Sequence, residues 1–151
     1  MTPNGLPGLD AARGVAVGRV VGGSILRPGS EAVAPGVLEI ENGRIAPTGT
    51  DTGRGVDVDA SDAWVLPGIV DVHGDAFERS LMPRGGVMVD VGLALADNAQ
   101  QLLASGITTS LLSATDSWEP GLRSRATLRE LVAAVSGWRR APRLAVHVRH
   151  E

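Results

Sequence analysis

At 151 residues with 43% apolar side chains, the chain is long enough for one domain of ordinary size and too apolar for a disordered polymer. A net charge of -3 and an aromatic content of 3% argue against an electrostatic nucleic-acid binder and against a base-stacking platform. The absence of cysteine excludes disulfides and thiolate metal sites, and no apolar run approaches the ~18 residues of a membrane span.

Residues 1–14 are rich in Gly and Pro, lack periodicity, and read as a loose leader. Met1 to Asp10 also lack the basic and apolar regions of a signal peptide, so a cytoplasmic protein is expected. Short strands then follow. Val15 to Val21 has strand composition, Val37 to Glu41 runs into Asn42-Gly43, and Arg44 to Ala46 follows. Asn-Gly between two such runs is a strong hairpin signal, because both central residues of a type I′ turn need positive φ. With the alternating Val56-Asp57-Val58-Asp59, residues 15–66 are expected to form a small antiparallel β unit.

The rhythm changes at Val65-Leu66-Pro67-Gly68. Residues 69–73 read as a strand and 90–105 as a helix, capped by Asp90 and ended by Gly106. A strand at 107–113, a helix over about 124–140 and a strand at 144–151 complete the chain. Thr127 and Glu130 offer a capping box inside the first turn of that second helix. Strand, helix, strand, helix, strand implies an α/β unit with a parallel sheet and right-handed crossovers. About 85 residues follow Pro67, against roughly 250 for a closed (β/α)₈ barrel. The expectation is therefore a β-sandwich portion at 15–66 and the first three strands of an incomplete barrel at 67–151. A complete small sheet of three strands is the competing architecture.

Residues two apart on a strand share a face. Val70 and Val72 are thus expected against the helices, with Asp71, His73 and Asp75 on the opposite, inner face. An imidazole and a carboxylate at that spacing can bind one divalent cation or bridge two. A surface turn that merely contains His and Asp would look the same. On the last strand His147, Arg149 and Glu151 share a face. Unpaired charge is costly to bury, so three ionisable residues there suit a site better than packing. Glu151 is placed to reach the cavity of His73 and Asp75, unless the strand lies at an exposed edge.

Residues 65–75, with their Pro-Gly-x-x-Asp-x-His-x-Asp pattern, resemble the opening of the barrel in the amidohydrolase superfamily, and Gly106-Ile107-Thr108-Thr109 resembles the start of its second strand. Asp75 stands where the second His of the usual pair would be. His-x-Asp with Pro83-Arg84 downstream, and His147-Val148-Arg149-His150-Glu151, are similar to one branch of that superfamily. These are the diphosphatases of the carbon–phosphorus lyase pathway, which act on α-D-ribose 1-methylphosphonate 5-triphosphate. The resemblance implies metal-assisted hydrolysis with His73, Asp75 and Glu151 as ligands of a divalent metal, zinc or manganese. Glu151 would replace the carboxylated lysine of many relatives, and this chain has no Lys. Gly85 departs from the Pro expected after Pro83-Arg84.

An anionic triphosphate needs charge neutralisation, for which guanidinium is suited by its forked geometry. Arg79 and Arg84, beyond the His73–Asp75 pair, and Arg149 are the substrate-binding candidates, each weighed against ordinary exposed charge. Arg123 is a weaker one. Trp118 and Glu119 are placed to shape the rim, Asp116 to make a turn, and Arg139-Arg140 to complement a helix dipole. The implied partner is a small phosphorylated sugar, with no nucleic acid and no membrane. A homo-oligomer of the full-length form is left open. The ligand set within 151 residues is incomplete, so the chain alone is expected to be inactive. Another amidohydrolase, such as an N-acetyl sugar phosphate deacetylase, and a non-catalytic remnant are the alternatives.

Overall fold

A computed structural model describes residues 16–27, 29–50 and 55–150. The expected leader and Glu151 lie outside these residues. The chain divides into two compact units at the Pro67–Gly68 step. Together the described residues form a mixed α/β structure of three sheets and three helices.

The first unit holds β1 (Val17–Val21), β2 (Ser24–Leu26), β3 (Val33–Pro35), β4 (Leu38–Glu41), β5 (Arg44–Ile45), β6 (Val56–Asp59) and β7 (Trp64–Val65). The Asn42-Gly43 hairpin forms as expected, with φ of 51° and 73° at the two central residues and antiparallel β4 and β5 on either side. The wholly antiparallel expectation fails, however. One sheet runs β5-β4-β1-β6 with β1 and β6 parallel, and the other runs β3-β2-β7 with β2 and β7 parallel. The reason is connectivity: β6 and β7 lie far along the chain from their partners β1 and β2, which lets a strand return in the same direction, whereas a tight hairpin cannot. Arg19 and Asp57, in register on β1 and β6, form a forked ion pair at 3.0 and 2.6 Å.

The second unit opens with β8 (Ile69–Gly74) and continues through α1 (Phe77–Leu81), α2 (Val91–Ala104), β9 (Ile107–Asp116), α3 (Arg125–Ser136) and β10 (Arg143–His150). Its sheet has the order β10-β9-β8, parallel throughout, and it is open, with no closed barrel among the described residues. Asp90 caps α2 as expected, its carboxylate accepting from Leu93 N at 2.9 Å, and Gly106 leaves the helix with φ of 76°. The cap of α3 is Ser124, not the Thr127–Glu130 pair. Ser124 Oγ accepts from Thr127 N at 3.2 Å, and the helix ends at Ser136 rather than near Arg140. Gly137 and the tight Trp138 turn stop it early.

The core of this unit is built from Phe77 and Leu81 of α1, Leu95 and Leu102 of α2, Leu112 and Ala114 of β9, Leu131 of α3 and Leu144 of β10. Helix α1 is absent from the sequence reading because five residues cannot display a periodicity. Its two buried side chains, four apart, fix it, each worth about 1.5–3 kcal/mol on burial. Val70 and Val72, expected under the helices, are instead 57% and 63% exposed. Within this unit the helices pack on β9 and β10 and not over β8.

Candidate metal centre

The site begins with an irregularity in β8. Pairing with β9 steps from Asp71 opposite Ser110 to Gly74 opposite Leu112, three residues against two. The Asp71 carboxylate fixes this bulge by accepting from His73 N at 3.0 Å and from Ser110 Oγ at 3.4 Å. Ser110 alternates with Leu112 and Ala114, the core-facing residues of β9, so Asp71 is drawn to the helix side of the sheet. The expected common face for Asp71, His73 and Asp75 is therefore broken at Asp71. Gly74 suits this place, because a Cβ would lie 2.6 Å from Asp71 Oδ2 and 2.7 Å from Ser110 Oγ and one of those side chains would have to shift.

His73 reaches the opposite, inner face. Its ring centroid lies 5.5 Å from that of His147, with the ring planes at 87°. His147 pairs with Ser113 of β9, and β9 separates β8 from β10. Backbones two strands apart are about 10 Å from each other, so the two rings lean toward one another across β9. Ser113 is 1% exposed, and its hydroxyl is buried with no hydrogen-bond partner among the described residues. Neither imidazole makes a side-chain hydrogen bond or an ion pair there. Sequence reading noted His147 on the inner face but did not join it to His73. Only the register of β9 and β10 reveals their proximity.

The other candidates are distributed around this face. Asp75 follows the end of β8 and is exposed, with its carbonyl accepting from Glu78 N at 3.0 Å. Arg149, half-buried on the inner face, donates from Nη2 to Thr115 Oγ1 at 2.9 Å. Arg79 lies in the last turn of α1, and Arg84 lies in a small bridge to Val87. Both are exposed. Arg123 pairs with Glu78 at 3.4 Å. Arg139 donates to the Ser136 and Trp138 carbonyls, as a residue at a helix C-terminus does. Among the described residues no three His, Asp or Glu side chains converge as one metal cluster, and Glu151 is not among them.

Asp116, expected in a turn, is the last residue of β9. Arg125 grips it through Nε at 3.0 Å and Nη2 at 3.2 Å. Hydrogen bonding from Arg125 holds the Asp116 carboxyl below its ordinary range against partial desolvation, and His150 Nδ1 at 3.6 Å adds to this. Trp118 and Glu119 join Asp116, Arg125 and His150 around a cleft of about 570 Å³ at the tips of β9 and β10. His73 is not among its lining residues. The cleft carries Asp116, Glu119 and His150, but Arg125 engages Asp116, whereas His73, the ligand candidate, lies on the inner face beside His147; that face is taken as the candidate centre.

The donor set fits a borderline divalent cation. It offers two unengaged imidazoles on one face, an exposed carboxylate two residues beyond one of them, and an orphaned hydroxyl between the strands. No helix of the described residues is long and apolar enough to cross a membrane.

No model of a known protein family matches the chain. Over 80 residues it is 32% identical to the alpha-D-ribose 1-methylphosphonate 5-triphosphate diphosphatase of Escherichia coli (strain K12). The match takes in 52% of this chain and 21% of that relative, so the chain is aligned to about a fifth of the relative's length.

Proposed function

We propose that this chain carries the first part of a divalent-metal centre in a hydrolase of phosphoric anhydrides, one that releases diphosphate from α-D-ribose 1-methylphosphonate 5-triphosphate. The parallel unit is read as the opening of a (β/α)₈ barrel, and the first unit as part of a flanking β-sandwich. The observation that carries the reading is the polar inner face, where His73 and His147 meet near the C-terminal ends of parallel strands. That is the end at which barrel enzymes place their chemistry. The resemblance to the diphosphatase supplies the substrate class.

In this reading His73 and Asp75 hold the cation, with Glu151 as a further ligand. A bound zinc or manganese ion would supply a water nucleophile near neutral pH and positive charge for a phosphoryl oxygen. The bulge at Asp71 orients His73 through its backbone N–H, so the imidazole is presented before any ligand arrives. Arg149, anchored on Thr115, places a fixed positive charge on the same face. The exposed Arg84 extends that charge beyond β8 toward the polyphosphate.

The test produces the 151 residues alone and joined to any coding sequence that continues past Glu151, and measures diphosphate release from the triphosphate with and without chelator. Chelator-sensitive release by the longer product, abolished by His73→Ala, supports the proposal. Deacetylation of an N-acetyl sugar phosphate by the same product, without diphosphate release, would replace it.

A further inference from the structure

We propose that His147 is a ligand of the same cation as His73, so that the centre is built across two strands and not along β8 alone. The inference rests on the metal-centre reading above and extends it to a residue outside the His73–Asp75–Glu151 set. Its basis is the 5.5 Å separation of the two ring centroids. A zinc–imidazole bond of about 2.0–2.1 Å places the ion roughly 3 Å from each ring centre. Two imidazoles sharing one tetrahedral ion therefore have centroids about 5–6 Å apart. The observed spacing falls inside that window with no movement of either backbone.

Three further observations agree. Both residues are exposed, and neither imidazole makes a side-chain hydrogen bond or ion pair among the described residues, so only their mutual edge-to-face contact would be exchanged for the ion. Ser113, opposite His147 in the β9 register, has a buried hydroxyl with no partner there. A ligating imidazole generally donates its second N–H to a neighbouring acceptor, and this hydroxyl is the acceptor at hand. The backbone of β10 is held to β9 by unbroken parallel pairing from Arg143 to His150, so His147 sits on a rigid element. Two neutral imidazoles carry no negative charge, and Arg149 lies two residues from His147. In the proposal the balancing charge would come from Asp75, exposed just beyond β8.

The competing account is an edge-to-face aromatic contact with no ligand role. The experiment titrates the 151-residue chain with Co²⁺ and with Zn²⁺, following cobalt absorption, zinc calorimetry and the imidazole NMR signals. With only three histidines in the chain, each signal is assignable by substitution. We expect Co²⁺ to broaden His73 and His147 at the same metal ratio. Affinity should fall at least about tenfold in His147→Ala, vanish in His73→Ala, and hold in His150→Gln.

Loss of binding in His73→Ala with unchanged affinity in His147→Ala overturns the proposal and leaves the metal-centre reading standing. No binding by the wild-type chain, or binding indifferent to His73, removes both. Should His147→Ala fail to fold, the wild-type spectra still decide. A His147 signal that stays sharp while His73 broadens means an aromatic contact only.

Discussion

The small residues beside His73 are as consequential as the histidine. Gly74 has neighbours that leave no room for a Cβ, since Asp71 Oδ2 and Ser110 Oγ would both lie under 3 Å from it. Gly74→Ala is therefore expected to shift the Asp71 carboxylate, and with it the hydrogen bond to His73 N–H. A loss of about 1–3 kcal/mol is expected from overpacking of this kind, read as a lower urea midpoint with an unchanged slope. The His73 imidazole signal should shift in the same variant, and an unperturbed spectrum would contradict the role given to the bulge. The placement of His73 on the face away from the helices was legible, because a histidine two residues before an acid on a strand is a local pattern. That of its neighbour was not. His147 lies 74 positions away, and only strand order and register, which are non-local, place the two rings together. Asp71 was misassigned for a related reason: strict alternation fails across a bulge, and nothing in the local sequence marks one there.

At the scale of elements, the start of α2 and the hairpin were legible because each depends on one or two residues of special chemistry. Asp90 and Asn42-Gly43 behave as their side chains dictate. For α3 the cap lies three residues upstream of the expected pair, since Ser124 with Thr127 satisfies the orphan donors first. Ser124→Ala should lower thermal stability by about 1 kcal/mol, while Glu130→Ala should leave the melting curve nearly unchanged. A larger loss for Glu130→Ala would restore the original assignment.

The β9 tip has its own signature. The Asp116 carboxyl is held below its ordinary value by Arg125, so the pair stabilises the folded state above the unfolded carboxylate pKa. That contribution fades as pH falls through the lower folded value. Carboxyl ¹³C titration should show this depression, and Arg125→Ala should raise the Asp116 value toward the ordinary one.

At the scale of the molecule, the order β10-β9-β8 was legible from the strand–helix rhythm, because parallel strands joined by helices have few other solutions. The surroundings of β8 were not, since burial depends on which elements arrive to cover a strand. Ile69, Val70 and Val72 are 55%, 57% and 63% exposed along this edge strand. Such an edge invites pairing with another chain. The 151-residue protein is expected to associate as its concentration rises, and light scattering of the wild type against Val70→Lys would show whether the edge is responsible.

Catalysis sets a stricter requirement than binding. A hydrolytic centre usually needs three or more protein ligands in fixed geometry, with an open position for water. Among the described residues the inner face presents His73 and His147 in fixed relation, with Asp75 exposed beyond the strand and no three-ligand cluster. On the proposed reading two imidazoles and the Asp75 carboxylate would capture a cation but be too few to orient an attacking water against a phosphoryl group. The 151 residues alone should thus bind metal without releasing diphosphate from the ribose triphosphate above the uncatalysed rate. The measurement follows diphosphate over hours at saturating Zn²⁺ or Mn²⁺, beside a chelated control. Robust, chelator-sensitive turnover by this chain would mean that no residue beyond these 151 is needed, the missing ligand coming from Glu151 or from a second copy.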